Sequence, residues 1–189
     1  MQPDTNDLKA IHRLKGGDIG GLELLIARHQ KKAIRAAFLV THDESMAEDV
    51  VQDVFVHFFE CAKSFDEARP FEPYFMRSVV NAAINTIQRE KKGIHLREEE
   101  DASELDALLE QAASIDEQME SAHLNCQIME ALAKLPPRQR AVIVQRYYLE
   151  MSEKEMAEAL EAPAGTVKWL LNSARNRLRS LLGSERMPE

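Results

Sequence analysis

The chain has 189 residues, 44% hydrophobic, 30% charged and 6% aromatic, the composition expected of a globular protein with room for one ordinary domain or two small ones. No run approaches the roughly 20 apolar residues that a membrane span needs. The opening MQPDTNDLKA carries no basic stretch followed by an apolar one, so no membrane insertion and a cytoplasmic location are expected. The net charge of −8 opposes nucleic-acid binding only as a whole-chain figure. Residues 1 to 97 hold 14 Lys/Arg against 14 Asp/Glu, residues 98 to 120 hold 10 acids and no base, and residues 134 to 182 hold 9 bases against 5 acids. The acid sits in one central run between a neutral and a basic segment.

Period-two alternation is nearly absent and the helical period dominates, so an all-α fold is expected. A first helix covers Asp7 to Leu14 and is ended by Gly16-Gly17. The second runs from about Leu22 to Leu39, with Leu22, Leu25, Ile26, His29 and Ala33 on one face. Thr41-His-Asp-Glu44 has capping-box spacing and opens a third helix to about Ala62. Its expected apolar stripe is Met46, Val50, Val54, Phe55, Phe58 and Phe59. Pro70 and Pro73 interrupt the pattern, and a fourth helix from about Glu72 to Lys92 carries Phe75, Val79, Ala82 and Ile87 inward. Its basic end, Arg89, Lys91 and Lys92, suits a helix C-terminus.

Like-charge crowding from Glu98 onward favours a linker. The expected organisation is therefore two small helical domains, 1–95 and 118–184, joined by an acidic linker at 96–117. In the second domain a helix from Asp116 to Ala133 precedes Leu135-Pro-Pro137, and another runs from Pro137 to Tyr148. Ser152-Glu-Lys-Glu155 is a capping box opening a short helix to Leu160, and Pro163 opens the last helix, to Leu182. A short helix, a tight turn and a longer basic helix make a helix-turn-helix pattern. Met156, Ala157, Leu160, Val167, Leu171 and Leu178 are left for its core. The last helix offers Thr166, Lys168, Trp169, Asn172 and Arg175, types that hydrogen-bond base edges or neutralise phosphate. A solvated basic helix face would carry the same residues, so spacing alone leaves DNA binding open.

Longer motifs narrow the choice. Leu135-Pro-Pro-Arg-Gln-Arg140, then Ser152-Glu-Lys-Glu-Met-Ala157, then Gly165-Thr-Val-Lys168 with Ala174-Arg175 and Leu178, resemble region 4 of extracytoplasmic-function sigma factors. Upstream, Ala47-Glu-Asp-Val-Val-Gln-Asp-Val-Phe55 is similar to the region 2 helix of that family, and Phe71 to Lys92 to its next segment. The resemblance covers most of residues 18 to 182 and implies a non-enzymatic subunit of RNA polymerase. It places core-polymerase binding, on the clamp, at Asp49, Gln52 and Asp53, which share one helix face. It places minus-ten reading at Tyr74, Arg77, Asn81, Asn85, Arg89, Lys91 and Lys92. There the asparagine amides suit a flipped base, Tyr74, with Phe71 and Phe75, offers stacking surface, and the bases track a single strand. It places minus-thirty-five reading at Thr166, Lys168, Trp169, Asn172 and Arg175. Implied partners are the clamp and flap of core polymerase, promoter DNA and an anti-sigma factor, with the acidic linker imitating nucleic acid in a basic channel.

The chain departs from the family pattern at Trp169-Leu170-Leu171, at Ser173 where a second base is usual, at Glu161 where Gly makes the turn, and at Tyr74 in place of Trp. The rivals are a stand-alone helix-turn-helix regulator, which would bind duplex without polymerase, and a sigma-like decoy that binds polymerase or an anti-sigma factor alone. An enzyme is disfavoured by the lack of a phosphate loop or nucleophile elbow. Cys61 and Cys126 read as buried small hydrophobes. His123 precedes Cys126 by three, yet no second Cys/His pair completes a tetrahedral site, so neither metal nor cofactor is expected.

Overall fold

A computed structural model describes residues 4–90 and 120–183, and the chain divides into two compact units, Met1–Thr86 and Ile87–Glu189. Every regular element among the described residues is helical. None of these helices is long and apolar enough to cross a membrane. The acidic stretch at 96–117, together with Lys91 and Lys92, lies outside the described residues.

In the first unit, α1 (Thr5–Lys15) starts earlier than expected because the Asp4 carboxylate accepts from the Asn6 and Asp7 amides. Gly17, with φ of 89°, lets the chain reverse into α2 (Gly20–Thr41). The two helices cross at Gly21, where an added Cβ would lie 2.2 Å from the Ala10 carbonyl oxygen and 2.7 Å from the Leu14 nitrogen. Helix α2 ends at His42 in the left-handed region, and α3 (Glu44–Cys61) follows. Its cap is Asp43, whose carboxylate accepts from the Met46 amide, rather than the expected Thr41. Thr41 belongs to the end of α2, and its hydroxyl bonds the backbone of Asp43 instead.

A short 3-10 turn (Ala62–Ser64) leads to α4 (Phe71–Glu90), which begins directly after Pro70, with Pro73 tolerated in its first turn. Phe55, Phe58, Phe65, Phe71 and Phe75 form one aromatic core, with ring centroids from 4.3 Å for Phe55–Phe75 to 6.2 Å for Phe65–Phe71. Three residues expected inward on these helices are not buried, Met46 standing half-buried at the start of α3. Phe59 is exposed, because Phe58 already takes the buried position on that turn, and Ala83 rather than Ala82 is fully buried.

A buried polar contact also joins α1 to α2. His29 Nε2 lies 3.0 Å from Asp7 Oδ1, and Arg28 Nε makes an ion pair with the same oxygen at 2.9 Å. Asp7 and His29 are both buried, so the pairing satisfies groups that would otherwise be costly to desolvate. The His29 ring in turn lies 5.2 Å from Phe71.

The second unit holds α5 (Glu120–Ala133), α6 (Pro137–Ile143), a π-wound turn (Val144–Tyr148), α7 (Glu153–Ala159) and α8 (Ala164–Gly183). Pro137 occupies the first position of α6, as expected. The helix expected to continue to Tyr148 widens instead, with the Leu149 amide donating to the Val144 carbonyl at 3.0 Å. Arg140 turns inward and donates to the carbonyls of Ala133 and Leu135 at 2.9 and 3.1 Å. Burial lowers its pKa to about 10, which leaves it charged at neutral pH. In the core, Ala159 and Leu170 are buried where Ala157 and Leu160 were expected; the latter two are half-buried.

Gly21→Ala should destabilise the protein by about 1–3 kcal/mol, because the helix crossing must open to admit a methyl group. Gly165→Ala, whose added Cβ meets nothing within 4 Å, should be neutral or stabilise by up to about 1 kcal/mol. Thermal denaturation followed by circular dichroism separates the two.

Candidate functional site

Three exposed surfaces carry the candidate residues, and each is positioned by a buried face behind it. On α3, Ala47, Val50, Val51, Val54, Phe55 and Phe58 point inward, which turns Asp49, Gln52 and Asp53 to solvent. The same face continues with Val56 and Phe59, 51% and 45% exposed. Sequence reasoning missed these two as surface residues. The signal was present in their spacing, since Gln52, Val56 and Phe59 recur at four and three. From Asp43 to Ala62 there is no Lys or Arg, so this face is acidic at one end and apolar at the other. Such a patch suits a partner that is basic with apolar anchoring positions.

On α4, the aromatic core holds Phe71, Phe75, Met76, Val79, Val80, Ala83, Ile84 and Ile87 inside. The opposite side presents Tyr74, Arg77 and Asn81, all partly exposed, followed by Asn85 and Arg89, which are exposed. Phe71 and Phe75 are 2% and 0% exposed, so they belong to the core and offer no stacking surface. Tyr74 remains available. Its ring is braced 5.1 Å from Phe65 and 6.4 Å from Phe58. Burial pushes its phenol above the ordinary value, and Cys61 beside it acts in the same direction. Cys61 itself is partly exposed rather than buried, with its thiol directed to the His57 carbonyl at 3.0 Å. The side chain of Cys126 lies outside the described residues.

In the second unit the capping box expected at Ser152 is complete. Ser152 Oγ accepts from the Glu155 amide at 3.3 Å, and the Ser152 amide donates to Glu155 Oε2 at 2.8 Å. The Ser152 hydroxyl, donating to Glu155 Oε2 at 2.7 Å, holds the Glu155 carboxyl below its ordinary range, and the Ser152 amide acts in the same direction. Helix α7 ends in a Schellman arrangement, the Ala162 amide donating to the Ala157 carbonyl at 3.0 Å. Glu161 has φ of 50°, so the residue standing where glycine is usual does adopt the left-handed region. The turn delivers α8 with Val167, Leu171, Ala174 and Leu178 inward and Thr166, Lys168 and Asn172 exposed. Trp169 is partly exposed on the same side.

Two further positions on α8 are explained by their partners. Arg175 Nε donates to the Tyr147 hydroxyl at 2.9 Å, and its guanidinium lies 5.7 Å from that ring's centroid. Arg175 therefore braces α8 against the π turn as well as standing on the candidate face. Ser173 is buried and accepts from Gln139 Nε2 at 2.9 Å. The missing base at this position is thus replaced by an internal hydrogen bond.

Comparison with known proteins gives two family matches in chain order. Residues 25–93 match the model described as Sigma-70 region 2, and residues 127–178 match Sigma-70, region 4. The ECF RNA polymerase sigma factor SigW of Bacillus subtilis is 28% identical over 178 residues, covering 92% of this chain and 95% of the relative. The ECF RNA polymerase sigma-E factor of Haemophilus influenzae is 25% identical over 186 residues, covering 95% and 97%. Among solved structures, CnrH in complex with the cytosolic domain of CnrY superposes with a TM-score of 0.63 at 25% identity, over 95% of this chain and 99% of that one. RpoE in complex with the anti-sigma factor NepR from Bartonella quintana shares the fold at a TM-score of 0.61 and 18% identity, over 87% and 98%.

Glu161→Gly should stabilise the protein by about 1 kcal/mol, since it removes a left-handed side-chain conformation from the turn. A rise in the thermal midpoint with an unchanged circular dichroism spectrum is the expected result.

Proposed function

The chain belongs to the sigma-70 family as an extracytoplasmic-function RNA polymerase sigma factor, and from that premise we propose how its three surfaces divide the work. The face of α3 docks on the clamp of core polymerase. Asp49, Gln52 and Asp53 pair with basic and polar groups there, while Val56 and Phe59 supply apolar anchors at the adjoining end. Desolvated apolar anchors set dissociation more than exposed carboxylates do, and the carboxylates set approach and orientation.

The outward side of α4 opens and reads the minus-ten element. Asn81 and Asn85, one turn apart, offer donor and acceptor pairs to an extruded base, and Tyr74 gives it a stacking surface. Arg77 and Arg89 track the strand backbone, joined by Lys91 and Lys92, which lie outside the described residues. The observation that carries this reading is the polarity of α4, buried and aromatic on one side, with two asparagines and two arginines on the other.

Helix α8 reads the minus-thirty-five element in the second domain, 118–184, with Thr166, Lys168, Trp169 and Asn172, while Arg175 divides its guanidinium between Tyr147 and the phosphate side. This helix has fewer free bases than the family pattern, so its DNA affinity should show a shallow salt dependence. The flap of core polymerase is the proposed partner for the second unit, and the acidic linker enters a basic channel of polymerase. An anti-sigma factor is the proposed restraint on the free protein. CnrH was solved in complex with the cytosolic domain of CnrY, and RpoE of Bartonella quintana in complex with the anti-sigma factor NepR. The protein acts in the cytoplasm, where polymerase and promoter are.

Gln52→Ala combined with Phe59→Ala should weaken core binding by about tenfold. Asn81→Ala combined with Asn85→Ala should bind core normally and lose at least about tenfold in promoter opening. Core affinity by fluorescence anisotropy and opening by 2-aminopurine fluorescence keep the two defects apart. Core binding lost in the asparagine variant, or opening retained, contradicts the assignment.

A further inference from the structure

The end of α1 is fastened to the segment that joins α3 to α4. Lys15, the last residue of α1, donates from Nζ to the Phe65 carbonyl at 2.7 Å and to Glu67 Oε1 at 2.7 Å. His12, one turn earlier, contacts the other carboxylate oxygen of Glu67. The Lys15 side chain is only 24% exposed, so solvent screens this contact less than it would a surface pair. The hydrogen bond from Lys15 is also the main reason that the Glu67 carboxyl sits below its ordinary range.

Apart from Phe65, whose ring sits in the aromatic core, the residues being held have little else to hold them. Asp66, Ala68 and Arg69 are exposed, and Glu67 and Pro70 are half-buried, so core burial does not fix residues 66–70. Their local structure is a single turn, with the Ala68 amide donating to Asp66 Oδ1 and the Arg69 amide to the Asp66 carbonyl. Phe65, whose carbonyl Lys15 grips, is the ring that braces Tyr74 at 5.1 Å. A line of contact therefore runs from α1 through Lys15 and Phe65 to the stacking surface of α4.

We propose that Lys15, with Glu67, is a positioning residue for promoter opening: it fixes the 65–70 segment and, through Phe65, the Tyr74 ring against which an extruded base stacks. The proposal rests on the reading of the α4 face as the DNA-opening surface. Lys15 touches neither the proposed clamp face nor the base, so its loss should change opening while leaving core affinity alone.

The test uses the full chain with core polymerase and a promoter recovered by selection from random duplexes with the wild-type holoenzyme. Lys15→Met and Glu67→Gln should each speed amide hydrogen exchange across residues 65–70 and lower opening by about tenfold, the scale of a lost charge-assisted hydrogen bond. Lys15→Arg, which keeps the donor and the charge, should return both readouts toward wild type. Wild-type opening in Lys15→Met, or unchanged exchange across the segment, overturns the proposal while leaving the α4 assignment standing if the asparagine double variant still fails to open. Normal opening in that double variant overturns the α4 assignment, and the role of Lys15 in opening falls with it.

Discussion

Five of the chain's seven phenylalanines meet where α3 and α4 join, and their packing decides which way both helices face. Each buried ring removes enough apolar surface to stabilise the unit by about 1.5–3 kcal/mol, and a good ring pair adds about 0.5–1.5 kcal/mol. Rotating α4 by one residue would expose Phe71 and Phe75 and bury Arg77 or Asn81, which the same energies forbid. The polar side of α4 is thus fixed by the aromatic side. Likewise Asp49, Gln52 and Asp53 are turned outward because Val50, Val54 and Phe58 are turned inward. One apolar cluster presents two different surfaces, one acidic and apolar, the other basic and rich in amides.

In the second unit, local backbone devices set the ends of the described helices. A capping box starts α7, a Schellman arrangement ends it, and Arg140 satisfies carbonyls at the end of α5. Arg140 is the arginine of the Leu135-Pro-Pro-Arg-Gln-Arg140 motif, and its hydrogen bonds give that motif a structural meaning independent of DNA. The strain at Glu161 is tolerated because the turn it makes sets where α8 begins. Arg175 and Ser173 show how this α8 differs from its family pattern. One cation leans on Tyr147, and one position has turned inward to Gln139.

Most helices were legible in the sequence because each apolar stripe has a clear period and each break carries Gly, Pro or a capping residue. The inward and outward sides of α3 and α4 followed from the same period, except at the adjacent Phe58 and Phe59 on α3 and at Ala82 on α4, where Ala83 takes the inward place. Periodicity cannot choose between Phe58 and Phe59; the neighbouring Phe65 and Phe71 rings can, and they lie across a gap that local reading does not bridge. The cap at Asp43 was missed because Thr41 three residues before Glu44 fits the same template. Long-range polar contacts were illegible for a related reason. Asp7 with His29, and Lys15 with Glu67, are 22 and 52 residues apart, and nothing local announces such pairs. The π turn at Val144–Tyr148 has no sequence signature, since its residues are ordinary helix formers in an ordinary order.

This chain is expected to give RNA polymerase the ability to select and open a promoter. Run-off transcription with purified core polymerase on a library of duplex templates tests it most directly. Discrete transcripts that start at a common distance from a shared pair of upstream sequence elements, and that require the added chain, are the predicted result. Binding of the chain to duplex DNA without polymerase, with no transcript and no association with core, would contradict it.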